Sequence, residues 1–510
     1  MAATRSASSL LPADGRSGWV LALLLALMLQ LLLPIMGDEA YFIAWGREWR
    51  AGLYDHGPLP GWISWLIWRL GSGLGLEVQG VLHRLFSLLL GALALALLGR
   101  RLRRMPGGGG AALLLLALVP GYLVLFNLYL NDTILAFAAL CFLLAAEAAL
   151  RARDRVWRPV LAAGLAFGAV LLTKYNGALL WLGLIPALLS WGGGRRFLLT
   201  RFAAISAIAA LPFLWHLWWN WNNCSVTLAF NFAFRNAQAP GNGPAWLGLS
   251  LLLMAGPAGF VALGRLLRQA RPPGFFGRAF LGTLLVMLAV SLWRREFGAN
   301  WGAPLGFMAV LALAEAGPAG PALRRAGAAL ALLVLLPLGV LLLADRLELV
   351  RLAGLPGIDA GKAHAWQMRR DLADGSLPRA LAPLLEGRQL AVMEYGIGAA
   401  LENAGLGKAV VFSRSVFGRN QDLEVDFRAL DGADMLVLVN GPRPEPALEA
   451  LFAGARWQEL RTARGRYQVI LGSGFRYEAY RAAWIAPVLA AYYDRSPFPY
   501  RRCVMERYRQ

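Results

Sequence analysis

The chain has 510 residues, 58% of them hydrophobic and 16% charged, with a mean hydropathy of +0.52. That balance is too apolar for a soluble globular protein, and long Leu/Ala runs without two-residue alternation exclude an outer-membrane barrel, leaving a polytopic α-helical membrane protein. The formal net charge of +20 comes from 47 Arg and 3 Lys set against 30 acids; the basic residues fall between the apolar runs, so membrane topology accounts for them and no nucleic-acid partner is expected.

Runs of spanning length, roughly 20 residues each, lie at 19–36, 78–99, 111–130, 133–150, 156–172, 175–191, 197–219, 245–264, 279–293, 299–316 and 326–344. They predict about eleven transmembrane helices. A cytoplasmic N-terminus puts 19 basic residues on the inner side, including Arg100, Arg101, Arg103 and Arg104, against seven outside. This asymmetry fixes the orientation. The stretch Trp62–Leu70 is too short to span, is preceded by Pro58 and Pro60 and carries Arg69, which predicts a helix lying on the outer leaflet. The first run lacks a small-residue cleavage site and reads as an uncleaved helix.

After residue 345 the charged residues rise to 42 of the last 166, and no spanning run follows. The chain is expected to comprise a transmembrane domain, 1–345, with an outer-face loop at 37–77, and a small soluble α/β domain, 346–510. Odd span parity puts that second domain outside. Its strands are predicted at Gln389–Tyr395, Ala409–Ser413, Met435–Asn440 and Arg466–Leu471, and its helices at Ala363–Leu372, Gly398–Ala404 and Pro446–Ala453. The segments 107–110, 238–244 and 317–321 read as loops. Cys141, Cys224 and Cys503 are far apart and give neither a metal-ligand spacing nor a disulfide framework.

Sorting the acids by side is informative, because the outer ones all fall near span ends or in loops: Asp38, Glu39, Glu48, Asp55, Glu77, Asp132 and Glu296. The Asp38-Glu39 pair at the mouth of the first span would have a raised pKa if desolvated, which suits a general base toward a hydroxyl or amine. A solvated helix start is the competing reading, since acids favour a first turn.

Basic and amide groups share that outer side. Lys174, Tyr175 and Asn176 occupy a very short connection, Arg235 lies in a Trp/Asn-rich loop, and Arg294 and Arg295 precede Asn300 and Trp301. A lone Lys in so tight a connection suits a phosphate partner, with snorkelling to the headgroups as the alternative. The cluster Trp215, Trp218, Trp219 and Trp221 with His216 reads as an interfacial belt. His83 and Arg84 are expected to pair with a loop acid, and Glu147 to snorkel.

Gly37-Asp38-Glu39-Ala40-Tyr41, Tyr54-Asp55-His56-Gly57-Pro58-Leu59, Asn131-Asp132, Leu172-Thr173-Lys174-Tyr175-Asn176 and Asn300-Trp301-Gly302-Ala303-Pro304, in that order and on one side, resemble the membrane glycosyltransferases of the GT-C class. The nearest resemblance is to the protein O-mannosyltransferase-like family 39 and the lipid A aminoarabinose and galacturonic acid transferases of family 83. It covers roughly residues 17–345. It implies transfer of a sugar from a polyprenyl-phosphate donor at the outer face, with inversion, to lipid A or another envelope glycan ahead of a protein hydroxyl. Asp38, with Glu39 beside it, matches the acid that is catalytic or orients the acceptor. Asp55 and His56 match the second motif, where Gly57 replaces a usual proline. Lys174 matches a position contacting donor phosphate, and Asp132 an acid facing the same cavity.

Lys174, His56, Arg294 and Arg295 are cationic groups suited to a phosphate leaving group, with Tyr175 and Arg235 on the same side, while Asp38 can deprotonate an acceptor. The sequence leaves open whether a divalent metal ion is a cofactor; if one is used, it would sit at Asp55 and His56, although their spacing is no ligand signature. The expected partners are the lipid-linked sugar, a glycolipid or protein acceptor and membrane lipids, in a bacterial inner membrane. A lipid or sugar carrier is the alternative from another class. Polar residues near the bilayer midplane would favour it, whereas the ionisable residues here sit near helix ends.

Overall fold

The computed structural model describes residues 15–35, 37–74, 76–107, 109–189, 195–235, 241–269, 272–294, 297–349, 360–417, 419–439, 446–462 and 464–509. Arg295 and Glu296 lie outside the described residues, as do the side chain of Glu77 and the segment 238–240. The chain forms two units. The first takes in Met1–Leu33, Arg84–Trp215 and Gln238–Leu343, the second Pro34–His83, His216–Ala237 and Ala344–Gln510.

The α-helices of six or more residues among the described residues, in chain order, are α1 (Gly15–Leu32), α2 (Gly37–Ala44), α3 (Leu59–Leu70), α4 (Leu76–Leu102), α5 (Gly110–Ala117), α6 (Pro120–Leu125), α7 (Asn131–Arg151), α8 (Trp157–Thr173), α9 (Ala178–Leu189) and α10 (Arg195–Trp221). Then come α11 (Gly243–Arg268), α12 (Phe275–Trp293), α13 (Leu305–Ala316), α14 (Pro321–Arg346), α15 (Ala360–Ala373), α16 (Ser376–Leu381) and α17 (Tyr395–Asn403). Every one of the eleven apolar runs contains helix, but among the described residues only α4, α7, α10, α11, α12 and α14 are long and apolar enough to cross a bilayer. A seventh crossing results if α1 and the 37–47 segment after it count as one. The remaining runs are short or broken: Pro120 starts a new helix after α5, and α8 and α9 are short apolar helices.

Inside the first unit, α7 lies along α8, and α9 along α12. The second contact depends on small residues, because a Cβ at Gly282 would lie 2.2 Å from the Gly183 carbonyl oxygen. Backbones meet there as they do in membrane helix pairs built on glycine. Phe142, Phe167 and Trp181 stack between these helices, with centroids 4.9 Å apart in two of the pairs. Glu147 does not snorkel. It is buried, takes a hydrogen bond from Arg101 Nε at 2.7 Å and has Arg151 at 2.9 Å, because two guanidinium groups within reach make an internal pair available to it.

The second unit is built around a five-stranded sheet of order β2-β1-β3-β5-β4, with β1 (Gln389–Val392), β2 (Val410–Val411), β3 (Met435–Val439), β4 (Phe452–Arg461) and β5 (Arg466–Phe475). β1 runs parallel to β2 and β3, while β5 is antiparallel to both β3 and β4. β3 is buried along its whole length and reads Met-Leu-Val-Leu-Val, as a central strand covered on both faces should. The expected helix at Pro446–Ala453 is corrected: a 3₁₀ turn covers Pro446–Leu451 and the edge strand β4 starts at Phe452. The chain enters this unit for the last time at Ala344.

A disulfide joins Cys224 and Cys503, across 279 residues, which corrects the expectation from sequence spacing. Cys224 and Ser225 both have left-handed backbone, at φ 58° and 47°. Non-glycine residues hold that conformation only where the surroundings impose it. The surroundings do so here: Cys224 N–H donates to the Arg502 carbonyl at 2.9 Å, Ser225 Oγ to the Pro499 carbonyl at 2.6 Å, and Arg501 N–H to the Trp221 carbonyl at 2.7 Å.

Denatured without reductant, the protein is expected to take up one alkylating group, at Cys141, and three after reduction, counted by intact mass. Cys503→Ser should lower stability by about 2–4 kcal/mol. Three groups taken up without reduction would remove the disulfide.

Candidate functional site

Asp132 is the second residue of α7, and Lys174 caps α8 in extended backbone at φ −158° and ψ 132°. Because α7 and α8 pack side by side, the start of one meets the end of the other. Lys174 Nζ lies 2.9 Å from Asp132 Oδ1 and 3.2 Å from Oδ2, and Asn300 Nδ2 donates to Oδ2 at 2.8 Å. Three of the five motifs thereby meet inside the first unit. Lys174 is 6% exposed and Asp132 4%, so the ammonium does not snorkel: the carboxylate supplies a nearer partner than any headgroup. Asp132 also gains from its place in the first turn of α7, where the free backbone N–H groups favour an anion.

Around this cluster, Tyr175 is buried with its ring edge against Phe213, centroids 5.8 Å apart. Arg294 places its guanidinium 5.4 Å from the ring centre of Trp301, the neighbour of Asn300. Arg294 is thus held on an aromatic face by cation–π attraction.

The acids of the outer loop belong to the second unit. Asp38 is exposed at the start of α2, following Gly37 at φ +55°, while Glu39 next to it is 3% exposed. Only Glu39 therefore meets the condition of desolvation on which the pair was singled out. Asp38 accepts a hydrogen bond from Tyr395 Oη at 2.6 Å.

Asp55 is buried, with Oδ1 3.2 Å from His56 Nδ1. The two atoms are close but not aligned as donor and acceptor, and neither has a hydrogen-bond partner among the described residues. Buried polar atoms of this kind are rare and call for an explanation. The His56 ring packs against Phe42 and Trp45, at 5.7 and 5.8 Å between centroids, so α2 and the turn after it carry both Asp38 and the platform for His56.

The backbone of this loop is fixed from elsewhere in the unit. Thr227 Oγ1 donates to the Leu53 carbonyl at 2.6 Å, Asn231 Nδ2 to the Asp55 carbonyl at 2.8 Å, and Tyr54 N–H to Asn420 Oδ1 at 3.2 Å. Arg235 lies over Phe230 and Phe417, at 5.3 and 5.6 Å. His83 bonds Ser64 Oγ at 2.8 Å and the Gln79 carbonyl at 2.7 Å. In the first unit, Arg84 donates to the Leu33 carbonyl at 2.8 Å.

Asp55 and His56 supply two donors, and among the described residues no group of three or more His, Cys, Asp or Glu side chains is placed to hold a metal ion. Two participants escaped the sequence reading. Asn300 stood in a quoted motif but only its contact with Asp132 gives it a part, and Tyr395 carried no signal at all.

Residues 55–219 match the sequence model of the dolichyl-phosphate-mannose-protein mannosyltransferase family. No curated protein matches the sequence significantly. Among solved structures, ArnT from Cupriavidus metallidurans in the apo state is similar at 16% identity with a TM-score of 0.55, over 90% of this chain and 98% of that one. The same protein bound to undecaprenyl phosphate is similar at 16% identity and 0.55, over 89% and 97%. The Archaeoglobus fulgidus oligosaccharyltransferase in the apo form is similar at 15% identity and 0.43, over 78% and 64%. The likeness to ArnT over most of both chains shows that this chain has the fold of that protein.

Removing one member of a buried ion pair strands the other, at a cost of about 3 kcal/mol. Lys174→Ala is therefore expected to melt well below the wild type in detergent, and Lys174→Met combined with Asp132→Leu to regain most of the loss. Equal melting of wild type and Lys174→Ala would mean that the pair is not buried.

Proposed function

We propose that this protein is an inverting glycosyltransferase that moves a sugar from a polyprenyl-phosphate donor to an envelope glycolipid, lipid A or a related glycan, at the outer face of a bacterial inner membrane. The observation that carries the reading is the meeting of Asp132, Lys174 and Asn300, drawn from three motifs of one glycosyltransferase class. The match of residues 55–219 to a family whose donor is a dolichyl-phosphate sugar supports the donor class. So does a whole-chain likeness to a protein crystallised with undecaprenyl phosphate.

In the proposed reaction Asp38 takes the proton of an acceptor hydroxyl, whose oxygen bonds to the anomeric carbon from the face opposite the leaving group. The bond between that carbon and the phosphate oxygen breaks, and the lipid phosphate leaves with the electron pair. Charge grows on the leaving phosphate, and Lys174 is the residue assigned to stabilise it, with Arg294 as a second cation. Asp132, itself held by Asn300, keeps the ammonium in place. His56 and Asp55 are assigned to substrate hydroxyls or phosphate. An apolar cavity of about 350 Å³ in the first unit, lined by Trp19, Leu95, Leu116, Leu123, Phe126 and Phe307, offers room for isoprenyl units.

The outer location of the second unit is supported by the basic residues counted on the two sides of the membrane and by the Cys224–Cys503 disulfide, which persists in an oxidising compartment such as a periplasm.

Purified protein given radiolabelled polyprenyl-phosphate sugars and a membrane lipid extract is expected to label a lipid. Asp38→Asn should lower turnover about 100-fold or more while expression and donor binding hold. An unlabelled extract would sink the transferase, labelled protein would move the acceptor to a protein hydroxyl, and full activity in Asp38→Asn would remove Asp38 as the base.

A further inference from the structure

We infer that Tyr395, the first residue of α17 in the C-terminal sheet region, is a positioning residue for Asp38, so that this region completes the catalytic loop and is not an appendage. The inference rests on the reading of Asp38 as general base. Among the described residues, the bond from Tyr395 Oη to Oδ1 at 2.6 Å is the one side-chain hydrogen bond that Asp38 makes. With Oδ1 occupied, Oδ2 is left to receive the acceptor proton, which is the arrangement of a base oriented by a third group.

The contact is built. A Cβ on Gly396 would stand 3.0 Å from Gly37 Cα, so the two helix starts meet backbone to backbone. The Tyr395 ring stands edge-on to Tyr41, centroids 4.7 Å apart at 66°. At the far end of α17, Asn403 Nδ2 donates to the Ala40 carbonyl at 2.9 Å, and the Glu402 carbonyl accepts from Arg47. Both ends of α17 therefore grip α2 and the turn that follows it. Burial, and then the Asp38 carboxylate, hold the Tyr395 phenol well above its ordinary pKa, so it stays protonated and donates across the working pH range.

The second grip on the loop comes from the same region. Glu424 pairs with Arg50 and has Lys408 at 3.1 Å, while Asn420 holds the backbone of Tyr54. Asp422, beneath them, is locked by Arg419 at 2.6 Å and by Tyr493 Oη at 2.7 Å. Residues 38 to 54 are thus fastened at both ends to one folded sheet.

The test is steady-state kinetics on detergent-purified wild type, Tyr395→Phe and Asn403→Ala, with melting temperatures measured alongside. Tyr395→Phe keeps the ring and loses the hydroxyl; kcat is expected to fall about tenfold with donor KM within twofold and melting unchanged. Asn403→Ala loosens the same helix pair without touching Asp38 and is expected to melt lower with kcat within twofold of wild type. Wild-type kcat in Tyr395→Phe overturns the inference. So does a Tyr395→Phe loss matched by lower melting, misfolding or a comparable kcat loss in Asn403→Ala, each of which marks a merely structural contact. Wild type that transfers no sugar removes the transferase reading and this inference with it, whereas active wild type beside an indifferent Tyr395→Phe removes the inference alone.

Discussion

A lysine ammonium inside an apolar bundle is tolerated only where a carboxylate meets it and the remaining oxygens are also satisfied. Lys174, Asp132 and Asn300 meet those terms, and the arrangement of the first unit around them follows. α7 must start where α8 ends, the short connection into α9 must leave Lys174 extended, and the turn before α13 must deliver an amide to the second carboxylate oxygen. A hydrophobic trio of the same shape would be no less stable. The charges carry a cost of desolvation, which is consistent with the part that the proposed reaction gives to the ammonium.

The second unit answers a different constraint. The outer loop is rich in Gly, Pro and charge, and its own elements, α2 and α3, are too short to form a core. It acquires one by borrowing: the aromatic cluster of Tyr54, Phe230, Phe234, Tyr480, Trp484 and Tyr493 draws on residues from all three chain segments of the unit. The disulfide then closes the segment around Cys224 onto the C-terminus. Binding and catalytic loops are positioned by rigid scaffolds, and for the loop to which the proposed reaction gives Asp38 the support is a sheet encoded more than 300 residues downstream.

What the sequence revealed and what it hid divide along the same physical line. β1, β2, β3 and β5 were legible because buried strands are apolar runs between turn residues. β4 was not, since this edge strand shows Arg456, Glu459 and Arg461 and is mostly exposed, so it lacks the alternation that marks a half-buried strand. Among the site residues, Asp132 and Lys174 stood out by type and side of the membrane, because few acids and only three lysines occur in the chain. Tyr395 and the Cys224–Cys503 pair did not, being separated from their partners by 357 and 279 residues. Nothing local in composition or period announces a contact made only by tertiary folding.

The difference between eleven apolar runs and the six spanning helices among the described residues has the same origin and bears on function. Hydropathy adds up apolar residues without registering where the helix stops. The short helices stop at the places where the candidate residues are: Asp132 opens α7 shortly after the broken pair α5 and α6, Lys174 separates α8 from α9, and Asn300 lies in the 3₁₀ turn before α13. Backbone that leaves the helical ladder in an apolar bundle must be covered by protein or must line a polar cavity. A helix interior turns its backbone groups inward and offers a substrate only side chains. Helix ends expose free N–H and carbonyl groups together with short polar side chains, and so can recognise a phosphate and a sugar. The interruptions that make the span count ambiguous are therefore the feature that lets an apolar bundle carry polar chemistry.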